Sequence, residues 1–289
     1  MKILENVDLA ARTTFKIGGP AHRFYELQNR AELTELRRNL GEDWGKTICL
    51  GGGSNILFPD EPLDNIVFKL TGEFEKIECQ DQYLQAGAAV PLPLLAERAA
   101  RAGLSGLEWA AGIPGSLGGA LIMNAGSFGS DISELVVEVE ILNSAGRLIK
   151  RSPQELQFDY RSSSFSPGEV IVAAKLKLKK ESREKVEKLQ REYLARKRAT
   201  QPLEYPCAGC VFKNLKDVSA GELIERAGLK GERIGEVEVS EKHANFFINR
   251  GGARCADVLR LIQRVRRRVF NMFEKKLSLE LTVINFSQL

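Results

Sequence analysis

Apolar positions recur along this chain with two different periods. Behind Asn29 and Glu32, spaced as a capping box, Leu33, Leu36 and Leu40 fall on one helical face and predict a helix closed by Gly41. Leu94, Leu95, Ala99 and Ala100 predict a second helix ending at Gly103. Strands are predicted over 47–50, 65–70, 74–79, 83–88 and 170–178. Residues 135–142 and 147–150 predict a hairpin about the turn Asn143 to Gly146. Ser152, Pro153 and Glu155 open a short helix. Composition then turns sharply charged in a helix over 184–198, capped by Ser182, and Gln201-Pro202 and Tyr205-Pro206 follow it. A capped helix over 219–227, a strand over 243–249, a long helix over 256–275 and a closing strand over 277–286 complete the pattern. The shift near residue 181 predicts a domain boundary there, giving units 1–180 and 181–289.

One stretch breaks both periods. Residues 105–129 read SGLEWAAGIPGSLGGALIMNAGSFG and carry a single charge, Glu108. Their glycines and Pro114 are spaced too irregularly for a helix, while the residues between them are small or apolar. Such a segment is expected to be buried and to offer its backbone to something, although a glycine-rich turn under a sheet has the same composition. No Lys or Arg lies between Arg101 and Arg147, so a phosphate bound here needs backbone N–H groups arranged as a nest. The spacing matches neither the GxGxxG of a dinucleotide fold nor a phosphate loop. A second candidate, Gly51 to Leu57, directly follows a predicted strand, and one extended dinucleotide touching both is the economical hypothesis.

With 289 residues and 43% hydrophobic content, the chain can fill one large or two ordinary cores. No apolar run is long enough for a membrane span and the N-terminus lacks the order of a signal peptide, so a cytoplasmic protein is expected. A net charge of +4 suits anionic small molecules. The five cysteines are scattered except for Cys207-Ala-Gly-Cys210, which argues against a disulfide framework, and two histidines are too few for a zinc site. Three side chains stand out as chemistry. Arg161, in a serine-rich segment, can fork onto a carboxylate or be a surface arginine. Cys210 can donate a proton or be a small buried hydrophobe. Glu280 alternates away from a leucine face, toward protein or, by the commoner rule, toward solvent. Arg264, Arg266, Arg267 and Arg268 fall on the outer face of the last helix, a solvated face rather than a nucleic-acid surface.

Seven motifs in order then resemble one family. TTFKIGGPA (13–21), GGGSNIL (51–57), AGIPGSLGGALIMNAGSFG (111–129), YRSSSF (160–165), AGCVFKN (208–214), the run 220–249 and LELTV (279–283) are similar to the UDP-N-acetylenolpyruvoylglucosamine reductases, the flavoenzymes that complete UDP-N-acetylmuramic acid for bacterial cell-wall synthesis. The resemblance implies an α+β protein. Residues 1–180 would form an FAD-binding unit of two subdomains, of the vanillyl-alcohol-oxidase-like (PCMH) type, and 181–289 a substrate-binding domain, in the compact form without an extra tyrosine loop. It implies bound FAD, NADPH as hydride donor, a UDP-sugar enolpyruvyl ether as substrate and a monomer without nucleic-acid or membrane partners. FAD would be held by Gly51, Gly52, Gly53, Ser54, Asn55, Ile56 and Leu57, together with Gly112, Ile113, Pro114, Gly115, Ser116, Gly118, Gly119, Asn124 and Gly126. Arg161 would polarise the substrate carboxylate. Glu280 would assist from the opposite side, and Cys210 stands where the family usually has a serine proton donor. Tyr160, Lys213, Asn214 and Asn245 would contact substrate. A flavin oxidase of the same fold with another substrate is the alternative, and a nucleotide- or nucleic-acid-binding module is a third.

Overall fold

The computed structural model describes residues 1–285; the end of the predicted closing strand, at Phe286, lies outside them. The chain forms two compact units. The first comprises residues 1–5, 23–52 and 65–196, and the second residues 6–22, 53–64 and the chain from Lys197 onward. The passage between them comes inside the helix Arg183–Thr200, at Arg196 to Lys197, rather than at the composition shift near 181. No composition shift marks 6–22 and 53–64 as part of the second unit. Hydrogen bonds hold them there: the Gly19 N–H donates to the Pro59 carbonyl at 2.7 Å, joining the two segments, and the Cys255 N–H donates to the side-chain Oδ1 of Asp60 at 2.8 Å.

In the first unit, five antiparallel strands stand in the order Leu148–Arg151, Val136–Leu142, Val170–Lys177, Tyr83–Gly87 and Ile77–Gln80. A parallel set runs beside the first predicted helix: Phe24 to Leu27 pairs with Val67 to Leu70, which also pairs with Ile48–Cys49. The helix itself is Arg30–Leu40. The Asn29 side chain accepts from the Glu32 N–H at 3.0 Å, while the Glu32 carboxylate reaches back one residue further than a strict capping box, to the Gln28 N–H at 2.7 Å. Its Leu33 and Leu36 are buried with Leu95 of the helix Leu92–Arg101 and with Leu84, Val139, Ile141, Val172 and Leu176 of the five-stranded sheet. Each such side chain, once fully buried, stabilises the fold by about 1.5–3 kcal/mol. Residues 74 and 75, expected to begin a strand, instead end a turn of 3-10 helix over Gly72–Glu75 that buries Phe74.

In the second unit, the strands Cys207–Cys210, Phe246–Asn249, Val237–Val239 and Arg233–Ile234 form an antiparallel sheet in that order. The helix Cys255–Phe273 buries Val258, Leu261, Ile262, Val265 and Val269, the face its periodicity predicts. Against this stripe pack Leu223 and Ile224 of the helix Ala220–Arg226, and Phe212 and Phe247, whose rings meet edge to face at 6.1 Å. Among the described residues of the closing strand, only Thr282–Val283 forms a ladder, parallel to Ile56–Leu57. Among the described residues no helix is long and apolar enough to cross a membrane.

Candidate active site

In the first unit, Ile48–Cys49 pairs with Val67 and Phe68 and delivers the chain to Gly51 and Gly52. A Cβ on Gly52 would lie 2.6 Å from the Cα of Gly115, and one on Gly51 would lie 2.5 Å from Ser116 Oγ. The two glycine segments are therefore apposed backbone to backbone, an approach that any side chain at 52 would prevent. The N–H groups of Gly51, Gly52, Gly115 and Ser116 find no acceptor among the described residues. Four such donors, in segments without a cation, are the chemistry that a pyrophosphate requires. Glu108 is 5% exposed; its Oε2 accepts from the Gly106 N–H at 2.8 Å, while Oε1 has no partner among the described residues. These features fit a dinucleotide cofactor held by backbone.

The expectation that 105–129 contains no helix is corrected. Leu117–Ile122 is a short α-helix opened by Ser116, whose Oγ accepts from the Gly119 N–H at 3.4 Å. The buried Leu117 and Leu121 anchor it, so packing overrides the propensity cost of Gly118 and Gly119. Ile113 is half-buried against the same core and Pro114 is exposed.

The end of this stretch has a second use. Phe158–Asp159 and Ser162–Ser163 form a small hairpin whose two-residue turn is Tyr160 and Arg161. The Asn124 amide, 4% exposed, donates to the Asp159 carbonyl at 3.2 Å and accepts from the Ser133 N–H at 3.3 Å. Ser163 Oγ donates to the Ile122 carbonyl at 2.6 Å. Arg161 itself donates to the Gly126 carbonyl at 2.9 Å, with its guanidinium carbon 5.2 Å from the Tyr160 ring centroid. Its φ of +53° puts a long side chain in the left-handed region. Arg161 is thus a half-buried, positioned group rather than an ordinary surface arginine. Asn124 and Gly126, expected as cofactor contacts, each also give one bond to this hairpin.

In the second unit, Gly53 has φ +63°, and a Cβ there would lie 2.3 Å from the Arg12 carbonyl. Thr14 donates its N–H to the Gly53 carbonyl at 3.0 Å and its hydroxyl to the Cys207 carbonyl at 2.7 Å. It links the glycine loop to the cysteine strand, and only the TTFKIGG string signals it in the sequence. Next to Gly53 and Ser54, the Asn55 amide donates to the Glu280 carbonyl at 3.0 Å, and Leu57 is fully buried in the core rather than open to a ligand. The Glu280 N–H donates to the Val211 carbonyl at 2.9 Å, and the Lys213 N–H to the Ser278 carbonyl at 2.8 Å. These bonds fix residues 55–57, 211–213 and 278–283 as one layer. They bring Glu280 to the residue after Cys210, and both side chains are half-buried. Glu280 lies in the extended run before Thr282–Val283, not within a strand, and is not the solvent-exposed carboxylate that alternation favours.

The predicted substrate contacts differ in character. Tyr160 is 47% exposed and Lys213 half-buried. Asn214 is exposed and its Oδ1 accepts from the Ala220 N–H at 3.0 Å, holding the start of a helix. Asn245 is 1% exposed; its Oδ1 accepts from the Phe212 N–H at 3.0 Å and its Nδ2 donates to the Phe212 carbonyl at 2.8 Å. Its amide thus holds the segment that follows Cys210. Burial lowers the His243 pKa, and its Nδ1 accepts from the Asn245 N–H at 3.3 Å. The arginine-rich helix turns several of its charges onto its own unit: Arg264 pairs with Glu232, and Arg266 donates to the Leu277 carbonyl at 3.0 Å. Arg161 belongs to the first unit, and Cys210 and Glu280 to the second.

Two stretches of the chain match known domain families. Residues 22–152 match the family model of an FAD-binding domain, and residues 201–284 match that of the C-terminal domain of UDP-N-acetylenolpyruvoylglucosamine reductase. UDP-N-acetylenolpyruvoylglucosamine reductase 2 of Symbiobacterium thermophilum is 44% identical over 276 residues, covering 95% of this chain and 90% of the relative. The reductase of Bacillus subtilis is 37% identical over 98% of this chain and 94% of the relative. The crystal structure of the reductase from Thermus caldophilus superposes with a TM-score of 0.85 at 38% identity, covering 98% of both chains. With this identity over nearly its whole length, the chain belongs to the UDP-N-acetylenolpyruvoylglucosamine reductase family.

Proposed function

We propose that this chain reduces the enolpyruvyl ether of UDP-N-acetylenolpyruvoylglucosamine to UDP-N-acetylmuramate, in the cytoplasm, as a step in peptidoglycan precursor synthesis. FAD, when bound, supplies to the vinyl carbon the hydride it has taken from NADPH. The backbone N–H groups of Gly51, Gly52, Gly115 and Ser116 would hold its pyrophosphate. Arg161 forks onto the substrate carboxylate and stabilises the negative charge that collects there as the enolate develops. Cys210 gives its thiol proton to the enolate carbon: the S–H bond breaks, a C–H bond forms, and the thiolate regains a proton from solvent. A thiol with an ordinary pKa near 8.5 is mostly protonated at neutral pH and is a stronger acid than the serine alcohol usual in the family. Glu280 orients a neighbour or shares a proton beside it. Tyr160, Lys213 and Asn214 contact the UDP-sugar, and Asn245 acts through Phe212 rather than by touching substrate.

The observation that carries this reading is Arg161, held at positive φ on a hairpin that is bedded on the FAD-binding segment. The test is optical. Purified protein is expected to be yellow, to bleach with NADPH under anaerobic conditions, and to recolour when the enolpyruvyl substrate is added. A colourless protein that takes up no FAD overturns the reading.

A further inference from the structure

The strand Cys207–Cys210 is irregular. Cys207 stands opposite Ile248 and Cys210 opposite Phe246, so three steps along one strand match two along its partner. This is a β-bulge, and Gly209, with φ +75° and nothing within 4 Å of where a Cβ would stand, carries it. Cross-strand partners share a face, and Ile248 and Phe246 are two residues apart, so the bulge returns both cysteines to the same face of the sheet. Two strand residues span about 6.6 Å at 3.2–3.4 Å per residue. That is the spacing of Phe246 and Ile248; a disulfide opposite them needs Cα atoms within about 6.8 Å and Cβ atoms about 3.5–4.5 Å apart, so the bulge must tighten for the bond to form. In a regular strand, residues three apart would point to opposite faces. Both cysteines are reduced in this structure and half-buried.

From this register we infer that Cys207 and Cys210 form a reversible modification site, an intrastrand disulfide that withdraws the Cys210 thiol when the enzyme meets peroxide. The Cys210 sulfur attacks one peroxide oxygen and becomes a sulfenic acid, releasing water. The Cys207 sulfur then attacks the Cys210 sulfur, the S–S bond forms, and the sulfenic hydroxyl leaves as a second water. In sum, two thiols and one hydrogen peroxide give one disulfide and two waters, with two electrons passing from sulfur to oxygen. Burial raises the Cys207 pKa, which is consistent with Cys207 as the resolving rather than the first-attacking thiol. The open Gly209 turn lets the bulge tighten. The effect on turnover rests on the assignment of Cys210 as proton donor; formation of the bond does not.

The experiment treats the FAD-loaded enzyme with hydrogen peroxide and maps its peptides without reduction. The peptide containing 207–210 is expected to become lighter by two hydrogen atoms. Recolouring by substrate should slow by about tenfold or more, bleaching by NADPH should persist, and dithiothreitol should restore both mass and rate. Cys207→Ser should be active before treatment, form no bridge, and let Cys210 proceed to sulfinic acid that dithiothreitol does not reverse. If Cys210 in the native chain oxidises to sulfinic acid as readily as in Cys207→Ser, the inference is overturned. A bridge that forms without slowing recolouring supports the disulfide and refutes Cys210 as donor.

Discussion

The glycine cradle of the first unit and the cysteine layer of the second solve opposite problems. Under the proposed function the backbone at Gly52 and Gly115 would do the binding, and a side chain at 52 would prevent the close approach of the two segments. Around Cys210 and Glu280 the backbone is a frame. There the bonds of Thr14, Asn55, Asn245 and Val211 hold the chain around a few side chains, which the proposed function would require. A cofactor that stays bound through many turnovers suits fixed N–H dipoles, which need no counter-charge and do not titrate. A proton transfer requires a group that does.

Four substitutions probe this contrast. Cys210→Ala removes one sulfur and is expected to slow recolouring by substrate by about 10²–10⁴, the usual worth of a positioned acid, while bleaching by NADPH is retained; stopped-flow absorbance separates the two. Unchanged recolouring would place the donor elsewhere. Gly52→Val adds a side chain to the cradle and should weaken FAD retention at least about tenfold, one hydrogen-bonded contact or more, read as flavin fluorescence in equilibrium titration. Wild-type affinity there would mean that the two glycine segments do not depend on their close approach. Asn245→Ala leaves the Phe212 N–H and carbonyl without partners in a buried place and should cost about 2–4 kcal/mol, seen in urea unfolding. A loss of activity at unchanged stability would instead make Asn245 a direct contact.

The smallest effect is one of pH. Burial holds the His243 pKa below its ordinary 6.5, so below that pH the unfolded chain binds a proton that the folded unit resists. The contribution is fully present above the unfolded value and is lost as pH falls below it. His243→Gln should flatten the fall in stability between about pH 6.5 and 5. An unchanged slope would assign the acid sensitivity to other groups.

Much of the fold was legible wherever a local rule governs it. Asn29 and Ser219 cap helices where expected, and the buried stripe of Cys255–Phe273 follows the predicted period. Legibility failed where the cause is distant. Thr14 and Cys207 are 193 positions apart, and nothing local at either reveals that a hydroxyl joins them. The same holds for the capture of 6–22 and 53–64 by the second unit. The helix Leu117–Ile122 was hidden because its glycines speak against a helix while Leu117 and Leu121 impose one from the core. For the site, the resemblance supplied roles for Arg161, Cys210 and Glu280, but no sequence rule could show a left-handed arginine or an asparagine whose amide is spent on Phe212.

That left-handed arginine has a further consequence. At position 161 the backbone and the chemistry select different residues. An L side chain at φ +53° costs about 1 kcal/mol that glycine avoids. Arg161→Gly should therefore melt at a higher temperature than Arg161→Ala, by the equivalent of about 1 kcal/mol, although both lack the guanidinium and neither should turn over substrate. The usual ranking of alanine over glycine is reversed there. The turn holds a small reserve of stability that glycine would release and that the proposed role of the guanidinium would forgo.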